Sequence, residues 1–201
     1  MTTQDEMLSM PTEPLDLRWR LADGGLPMRE RHLRSLASMG VGAPMQSWIR
    51  TRLEYVLENH APIHPNGVLC LRMDPEGKTE MVVEPLGTVP MLTEADLVIK
   101  DDFITGASVP GVVWVMGEKL AIASVDNEEL ISATATTMRD LAETLSMQVE
   151  EGAVLAEDAF AEGVEIFVTS DEFGILPIEG HSGATTDRFT KLLNKLLKPA
   201  K

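Results

Sequence analysis

From residue 95 onward, short β-branched runs alternate with helical patterns, and this alternation restricts the chain to a mixed α/β fold. Strands are predicted at residues 95–99, 112–116, 120–123, 148–150 and 165–168. Helices are predicted at residues 134–145, 157–161 and 185–197, the second a single turn and the last amphipathic. Residues 165–168 are apolar on consecutive positions, as buried strands are, so we expect this strand to be central in its sheet.

The first part of the chain predicts a lobe of its own. Strands are expected at residues 15–21, 68–73 and 79–84, and helices at 28–39 and 45–59 with Pro44 separating them. Asp23-Gly24-Gly25 is a hairpin turn signal after the first strand, and Asp74-Pro75-Glu76-Gly77 joins the last two strands. We therefore expect a loose N-terminus at 1–14, a first lobe at 15–85, a connector at 86–94 and a second lobe at 95–201.

Composition argues against several classes of partner. The formal net charge of −15 and the lack of a basic stripe argue against nucleic acid and anionic membranes. No apolar run approaches the roughly 18 residues of a membrane span, and residues 1–16 lack a signal pattern. The one cysteine, Cys70, stands in an apolar run, which predicts a buried thiol and fits a cytoplasmic location.

The order of motifs along the chain points to one enzyme family. WRLADGGLPMRERHLRSLASMGV supplies a strand, a turn and a helix, with His32-Leu33-Arg34-Ser35-Leu36 at the place of H-x-x-R-L. ADLVIKDDFITGASVPGVVWVMGEKLAIAS, LISATATTMRDLAETLSMQVEE and EIFVTSDEFGILPIEG then follow in order. This order resembles the class IV (fold-type IV) pyridoxal-phosphate enzymes, which include branched-chain and D-amino-acid aminotransferases and aminodeoxychorismate lyases. Over residues 15–197 the resemblance implies a shortened form of the two-lobed class IV aminotransferase fold.

The resemblance also implies a phosphate site. The family's G-I-T at a helix N-terminus corresponds to Ser132-Ala133-Thr134, and its second phosphate loop begins at Thr169-Ser170-Asp171. The implied cofactor-binding residues are therefore Ser132, Ala133, Thr134, Thr169, Ser170 and Asp171. Read without the resemblance, Thr134 is an ordinary N-cap. Asp171 and Glu172 bring negative charge to the loop, which opposes a phosphate dianion.

Several residues needed for the chemistry are replaced. The phosphate arginines of the family correspond to Ala135 and Ser35, and the adjacent Arg34 should point elsewhere on its helix. The family's E-G-x-x-x-N, whose Glu holds the pyridine nitrogen's proton, has Gly106 and Gly111 in place of Glu and Asn.

The segment that carries the Schiff-base lysine has no counterpart. Only residues 86–94 separate the hairpin from the next strand, too few for the family's strand and helix. Lys78 and Lys100 read as solvated turn lysines. We therefore expect no catalytic residue. We also expect no metal site, because His60 and His64 flank a proline and lack a third ligand.

Two functional hypotheses remain. The first is a pseudoenzyme of the aminotransferase and aminodeoxychorismate-lyase group that serves as a binding or partner subunit, with pyridoxal phosphate implied by resemblance alone or with no cofactor. The second is an active enzyme in which another lysine has taken over. A small anionic molecule is a candidate ligand. The family's active site forms at a dimer interface, so the resemblance implies a homodimer or a heterodimer with a related subunit.

Overall fold

The computed structural model describes residues 11–123 and 132–197. The described residues divide into two compact units, one formed by residues 11–87 together with residues 196–197, and the other by residues 88–123 and 132–195. Both contain helices and sheet, so the predicted mixed α/β class is confirmed. No helix in the described part of the chain is long and apolar enough to cross a membrane.

The first unit contains a three-stranded antiparallel sheet with the strand order β1-β2-β3. Its elements are β1 (Leu15–Arg20), α1 (Arg29–Ser38), α2 (Ala43–Asn59), a short 3-10 helix (Ala61–Ile63), β2 (Val68–Met73) and β3 (Thr79–Glu84). This is the predicted order of a strand, two helices and a hairpin. The sheet is amphipathic, and residues on one face of it, including Trp19, Leu69 and Leu71, form a core with Leu36 and Leu53 of the helices.

Two local predictions for this unit need correction. The Asp23-Gly24 turn forms, with φ of 48° and 80°, but β1 pairs with β2 and not with a strand directly after the turn. β1 forms six residue pairs with the apolar strand β2, and this pairing replaces the expected local hairpin. Pro44 lies inside the first turn of α2 and does not separate the helices, because a first-turn residue has no intrahelical N–H bond to lose.

The second unit is built on a five-stranded sheet with the order β11-β10-β6-β7-β8 and a three-stranded sheet with the order β4-β5-β9. The strands are β4 (Leu97–Lys100), β5 (Phe103–Ala107), β6 (Val112–Met116), β7 (Leu120–Ala123), β8 (Val149–Gly152), β9 (Val154–Leu155), β10 (Glu165–Ser170) and β11 (Gly174–Pro177). The helices are α3 (Ala133–Thr144), α4 (Ala156–Ala159) and α5 (Ala184–Leu196). All neighbouring strands are antiparallel except β7 and β8, which flank α3.

Strand β10 lies inside the larger sheet, between β11 and β6. Phe167 packs on one face of the sheet with Trp114 and Phe189, whereas Ile166 and Val168 belong to the core on the other face. Burial on both faces explains why the sequence of β10 is apolar on consecutive positions. Its interior placement was predicted, although it lies one position from the edge and not at the middle.

Three strands of this unit were not predicted: β5, β9 and β11. Asp101 and Asp102 adopt positive φ and turn the chain back, so β5 pairs with β4. The strand predicted at 95–99 begins later, because Glu94–Asp96 form a 3-10 turn closed by a capping box from Thr93 and Asp96. Between the end of β3 and the start of β4, the chain has this one 3-10 turn and a single β-bridge from Leu92 to Ile178.

Candidate functional site

The candidate site lies in the second unit, where the N-terminus of α3 meets the turn after β10. Ser132 is the N-cap of α3, and its Oγ accepts a hydrogen bond from the Ala135 amide at 3.2 Å. Thr134, interpreted from sequence as an ordinary N-cap, lies inside the helix. That interpretation is wrong, because Ser132, two residues earlier, has the extended backbone that an N-cap requires.

The carboxylate of Asp171 binds the first turn of α3. Its Oδ1 accepts hydrogen bonds from the Thr134 amide at 2.8 Å and from Ser132 Oγ at 2.9 Å, and its Oδ2 accepts one from the Ala133 amide at 3.3 Å. The first-turn amides of a helix lack intrahelical partners and carry the positive end of the helix dipole, so they attract an anion. Here a side chain of the same chain supplies that anion.

The first turn of α3 therefore has an intramolecular acceptor for each of its four amides. Asp171 serves Ala133 and Thr134, Ser132 Oγ serves Ala135, and the Ser132 carbonyl accepts from Thr136 at 3.0 Å. The structure thus brings four of the six implied cofactor-binding residues together, and it does so through contacts among themselves.

The two remaining residues of the implied site, Thr169 and Ser170, are buried at the end of β10. Thr169 Oγ1 accepts a hydrogen bond from Trp114 Nε1 at 2.9 Å and donates one to the Val112 carbonyl at 3.4 Å. Ser170 Oγ accepts from the Glu172 amide at 3.3 Å. Both hydroxyls are engaged with the protein, and sequence reasoning had no signal for the partnership of Trp114 with Thr169.

The two glycines of the altered E-G-x-x-x-N motif differ sharply in their surroundings. A Cβ added at Gly111 would lie 2.8 Å from Val168 Cγ1 and closer still to the Thr169 carbonyl oxygen. A Cβ at Gly106 would meet nothing within 4 Å. The start of β6 is therefore packed too tightly against β10 for the asparagine of the motif, whereas the position of the glutamate has room for a side chain.

Every lysine in the described residues is exposed: Lys78, Lys100, Lys119, Lys191 and Lys195. Lys119 forms an ion pair with Glu150. A Schiff-base lysine reacts as a neutral amine, which burial or a neighbouring charge must favour. Arg34 Nε donates a hydrogen bond to the Glu30 carbonyl of its own helix at 3.2 Å, and Ser35 Oγ donates one to the His32 carbonyl at 2.8 Å.

A second carboxylate binds the N-terminus of α5, and sequence reasoning missed it. Glu165 accepts hydrogen bonds from the amides of Thr185 at 3.1 Å and Thr186 at 2.7 Å, and from Thr186 Oγ1 at 2.7 Å. Burial acts to raise the pKa of Glu165, but the hydrogen bonds from Thr186 and Thr185 outweigh it and lower the pKa below 4.5. The available signal was an acidic residue opening an otherwise apolar strand.

Within residues 11–123 and 132–197, no group of three or more His, Cys, Asp or Glu side chains is arranged to hold a metal ion. His60 and His64 lie on either side of the short 3-10 helix after α2.

Comparison with solved structures identifies the fold. The chain is similar to 4-amino-4-deoxychorismate lyase from Pseudomonas aeruginosa, with a TM-score of 0.68, 16% identity and coverage of 91% of this chain and 90% of that one. The chain is also similar to a hypothetical aminotransferase from Mycobacterium tuberculosis in a PLP-bound form, with a TM-score of 0.71, 13% identity and coverage of 92% of this chain and 89% of that one. For an aminotransferase from Brucella abortus bound to PLP, the TM-score is 0.65 and the identity 16%, with coverage of 90% of this chain and 88% of that one. No protein-family model and no curated relative matches the chain. The fold is therefore the class IV aminotransferase-like fold.

The residues at the N-terminus of α3 do not fit the phosphate of pyridoxal phosphate in this arrangement. The amides that would bind it are taken by Asp171. Two unit charges 4 Å apart repel by about 4 kcal/mol at an effective dielectric constant near 20, so a phosphate beside this carboxylate would be opposed strongly.

Proposed function

We propose that this protein is a non-catalytic relative of the class IV aminotransferases and aminodeoxychorismate lyases, a pseudoenzyme that works as a binding or partner subunit. The observation that carries the proposal is that each lysine in the described part of the chain is exposed. Pyridoxal-phosphate chemistry needs a lysine whose amine is held close to the cofactor in a site shielded from water, and an exposed lysine side chain is not held in this way.

The other two requirements of that chemistry support the same proposal. The ring nitrogen of the cofactor needs an acidic partner, and Gly106 stands at the position that the motif assigns to it. The phosphate needs free amide donors, and those of Ala133 and Thr134 are bound to Asp171. The acidic partner and the phosphate donors are therefore lost independently, at Gly106 and at Asp171.

The test is to mix the purified protein with pyridoxal phosphate, reduce it with borohydride and search for a covalent adduct by mass spectrometry. We expect no visible absorbance band, no adduct at a single lysine, and no turnover of branched-chain amino acids, D-alanine or aminodeoxychorismate above background. Lys78→Ala and Lys100→Ala are the matched variants. An adduct on one lysine, with turnover that is lost when that lysine is replaced, would establish the displaced-lysine hypothesis instead.

We further infer that the chain associates, as a homodimer or with a related subunit, and that it is cytoplasmic in keeping with its single, buried cysteine. With a net charge of −15, self-repulsion opposes association at low salt, so a dimer must depend on apolar contact. Light scattering at micromolar concentration should give the mass of a dimer. The stability of the dimer should rise as added salt screens the self-repulsion. A monomer mass at every salt concentration would refute the homodimer and leave the related subunit to be tested by co-purification.

A further inference from the structure

We propose that Asp171 is a permanent internal anion that has replaced a bound phosphate at the N-terminus of α3. The inference deepens the proposed function and rests on it, because a chain without cofactor chemistry must hold this helix end without a cofactor. It assigns a structural role to a residue that the family resemblance placed in the phosphate loop and whose negative charge opposes phosphate binding.

The contacts of Asp171 are those expected of a bound anion. Both carboxylate oxygens accept hydrogen bonds, and their donors include two consecutive helix amides and the N-cap hydroxyl. Ala133 and Thr134 are 1% and 2% exposed, so water has little access to replace the carboxylate. Buried amides of this kind need an acceptor from the protein or from a ligand.

The hairpin of β10 and β11 holds the carboxylate in place. Asp171 directly follows Ser170, which pairs with Gly174 as the last residue pair of the hairpin, and Gly174 has a φ of 81° that closes the turn. A carboxylate fixed by the chain is always present at the helix end, whereas a diffusing anion must be held at the expense of its translational freedom. An external phosphate therefore has to displace an acceptor that cannot diffuse away.

The other end of the same strand uses the same arrangement. Glu165, the first residue of β10, binds the first-turn amides of α5, just as Asp171 after the last residue binds those of α3. The first residue of β10 and the residue directly after its end thus each supply an internal anion to a helix. The pattern supports a role for Asp171 in joining sheet to helix that depends on no ligand.

The experiment uses the whole protein and inorganic phosphate as the probe. Thermal unfolding is followed with increasing phosphate and, separately, with chloride at equal ionic strength, for the wild type, Asp171→Ala and Glu179→Ala. Glu179→Ala is the control, because it removes one negative charge at an exposed position of the same unit. We expect Asp171→Ala to melt lower than the wild type and to recover stability in phosphate more than in chloride. For the wild type, and likewise for Glu179→Ala, phosphate and chloride should change the melting temperature by the same amount.

Amide hydrogen exchange gives a second readout should Asp171→Ala fail to fold. In the phosphate-free wild type, the amides of Ala133 and Thr134 should be protected, although first-turn amides usually exchange fast. In Asp171→Asn, which keeps the shape but loses the charge, both should exchange faster while those of Thr185 and Thr186 stay unchanged. Unprotected amides in the wild type, a phosphate-specific shift of the wild type, or a folded Asp171→Ala that ignores phosphate would each overturn the proposal.

These readouts are separate from the test of the proposed function. A lysine adduct with pyridoxal phosphate would refute the pseudoenzyme, and it would do so whether or not phosphate alone stabilises Asp171→Ala. Conversely, unprotected α3 amides in a protein that forms no adduct would refute the internal anion and leave the pseudoenzyme standing.

Discussion

Replacing Gly111 by alanine adds one methyl group where the structure has no room for it. The new Cβ would lie 2.8 Å from Val168 Cγ1 and closer still to the Thr169 carbonyl oxygen. The carbonyl belongs to the backbone of β10, so relief requires the start of β6 to move away from its neighbouring strand. Gly111 does not adopt a positive φ, so the effect measures packing and not backbone strain.

Overpacking of this kind destabilises a protein by about 1–3 kcal/mol. Gly106→Ala is the matched control, because it makes the same chemical change five residues earlier, in open space within β5. An alanine that fits the native backbone restricts the unfolded chain, so Gly106→Ala should be neutral or stabilising by about 0.4–1 kcal/mol.

The assay is urea unfolding of the two variants and the wild type, followed by tryptophan fluorescence, since Trp114 lies in β6. Gly106→Ala should be at least as stable as the wild type, and Gly111→Ala should be less stable than both. Equal stability of Gly111→Ala and the wild type would refute the reasoning, since the start of β6 would then have room beside β10 for a Cβ.

Three further predictions concern polar groups that are buried or half-buried. Thr169→Val removes the acceptor of Trp114 Nε1 and should cost about 1–3 kcal/mol in urea unfolding, whereas Thr169→Ser should retain most of the stability. The pKa of Glu165 is lowered in the folded protein, so its stabilisation is complete above the ordinary value of 4.5 and is lost as pH falls through the lowered value. Glu165→Gln should therefore unfold more easily at neutral pH, by about 0.5–2 kcal/mol, and the difference from wild type should shrink in acid; a constant difference would contradict the assignment. Burial raises the pKa of Cys70 to about 11, although Arg18 acts in the opposite direction, so Ellman's reagent should modify it slowly in the native protein and rapidly in denaturant. Equal rates would show that the thiol is accessible.

The regular elements that sequence periodicity could predict are those with a strong pattern. The helices α1, α2, α3 and α5 and the strands β2 and β10 carry apolar residues at spacings that match how they are buried. The missed strands are all short. β5 contains a glycine, β9 has only two residues, and β11 contains a glycine and a proline. Such strands form because a neighbouring strand offers hydrogen bonds, and that neighbour is not visible in the local pattern.

The order of motifs along the chain was enough to identify the fold. The family resemblance grouped two segments into one implied phosphate site, with the residues Ser132, Ala133, Thr134, Thr169, Ser170 and Asp171. Counting charges also showed that Asp171 opposes a phosphate. Sequence could not show that this carboxylate itself binds the first-turn amides of α3. Asp171 and Thr134 are 37 residues apart, and a hydrogen bond of 2.8 Å between them exists only after the β10–β11 hairpin and α3 have packed. The crowding at Gly111 has the same origin, since a glycine looks identical in sequence whether a neighbouring strand or open space lies beside it.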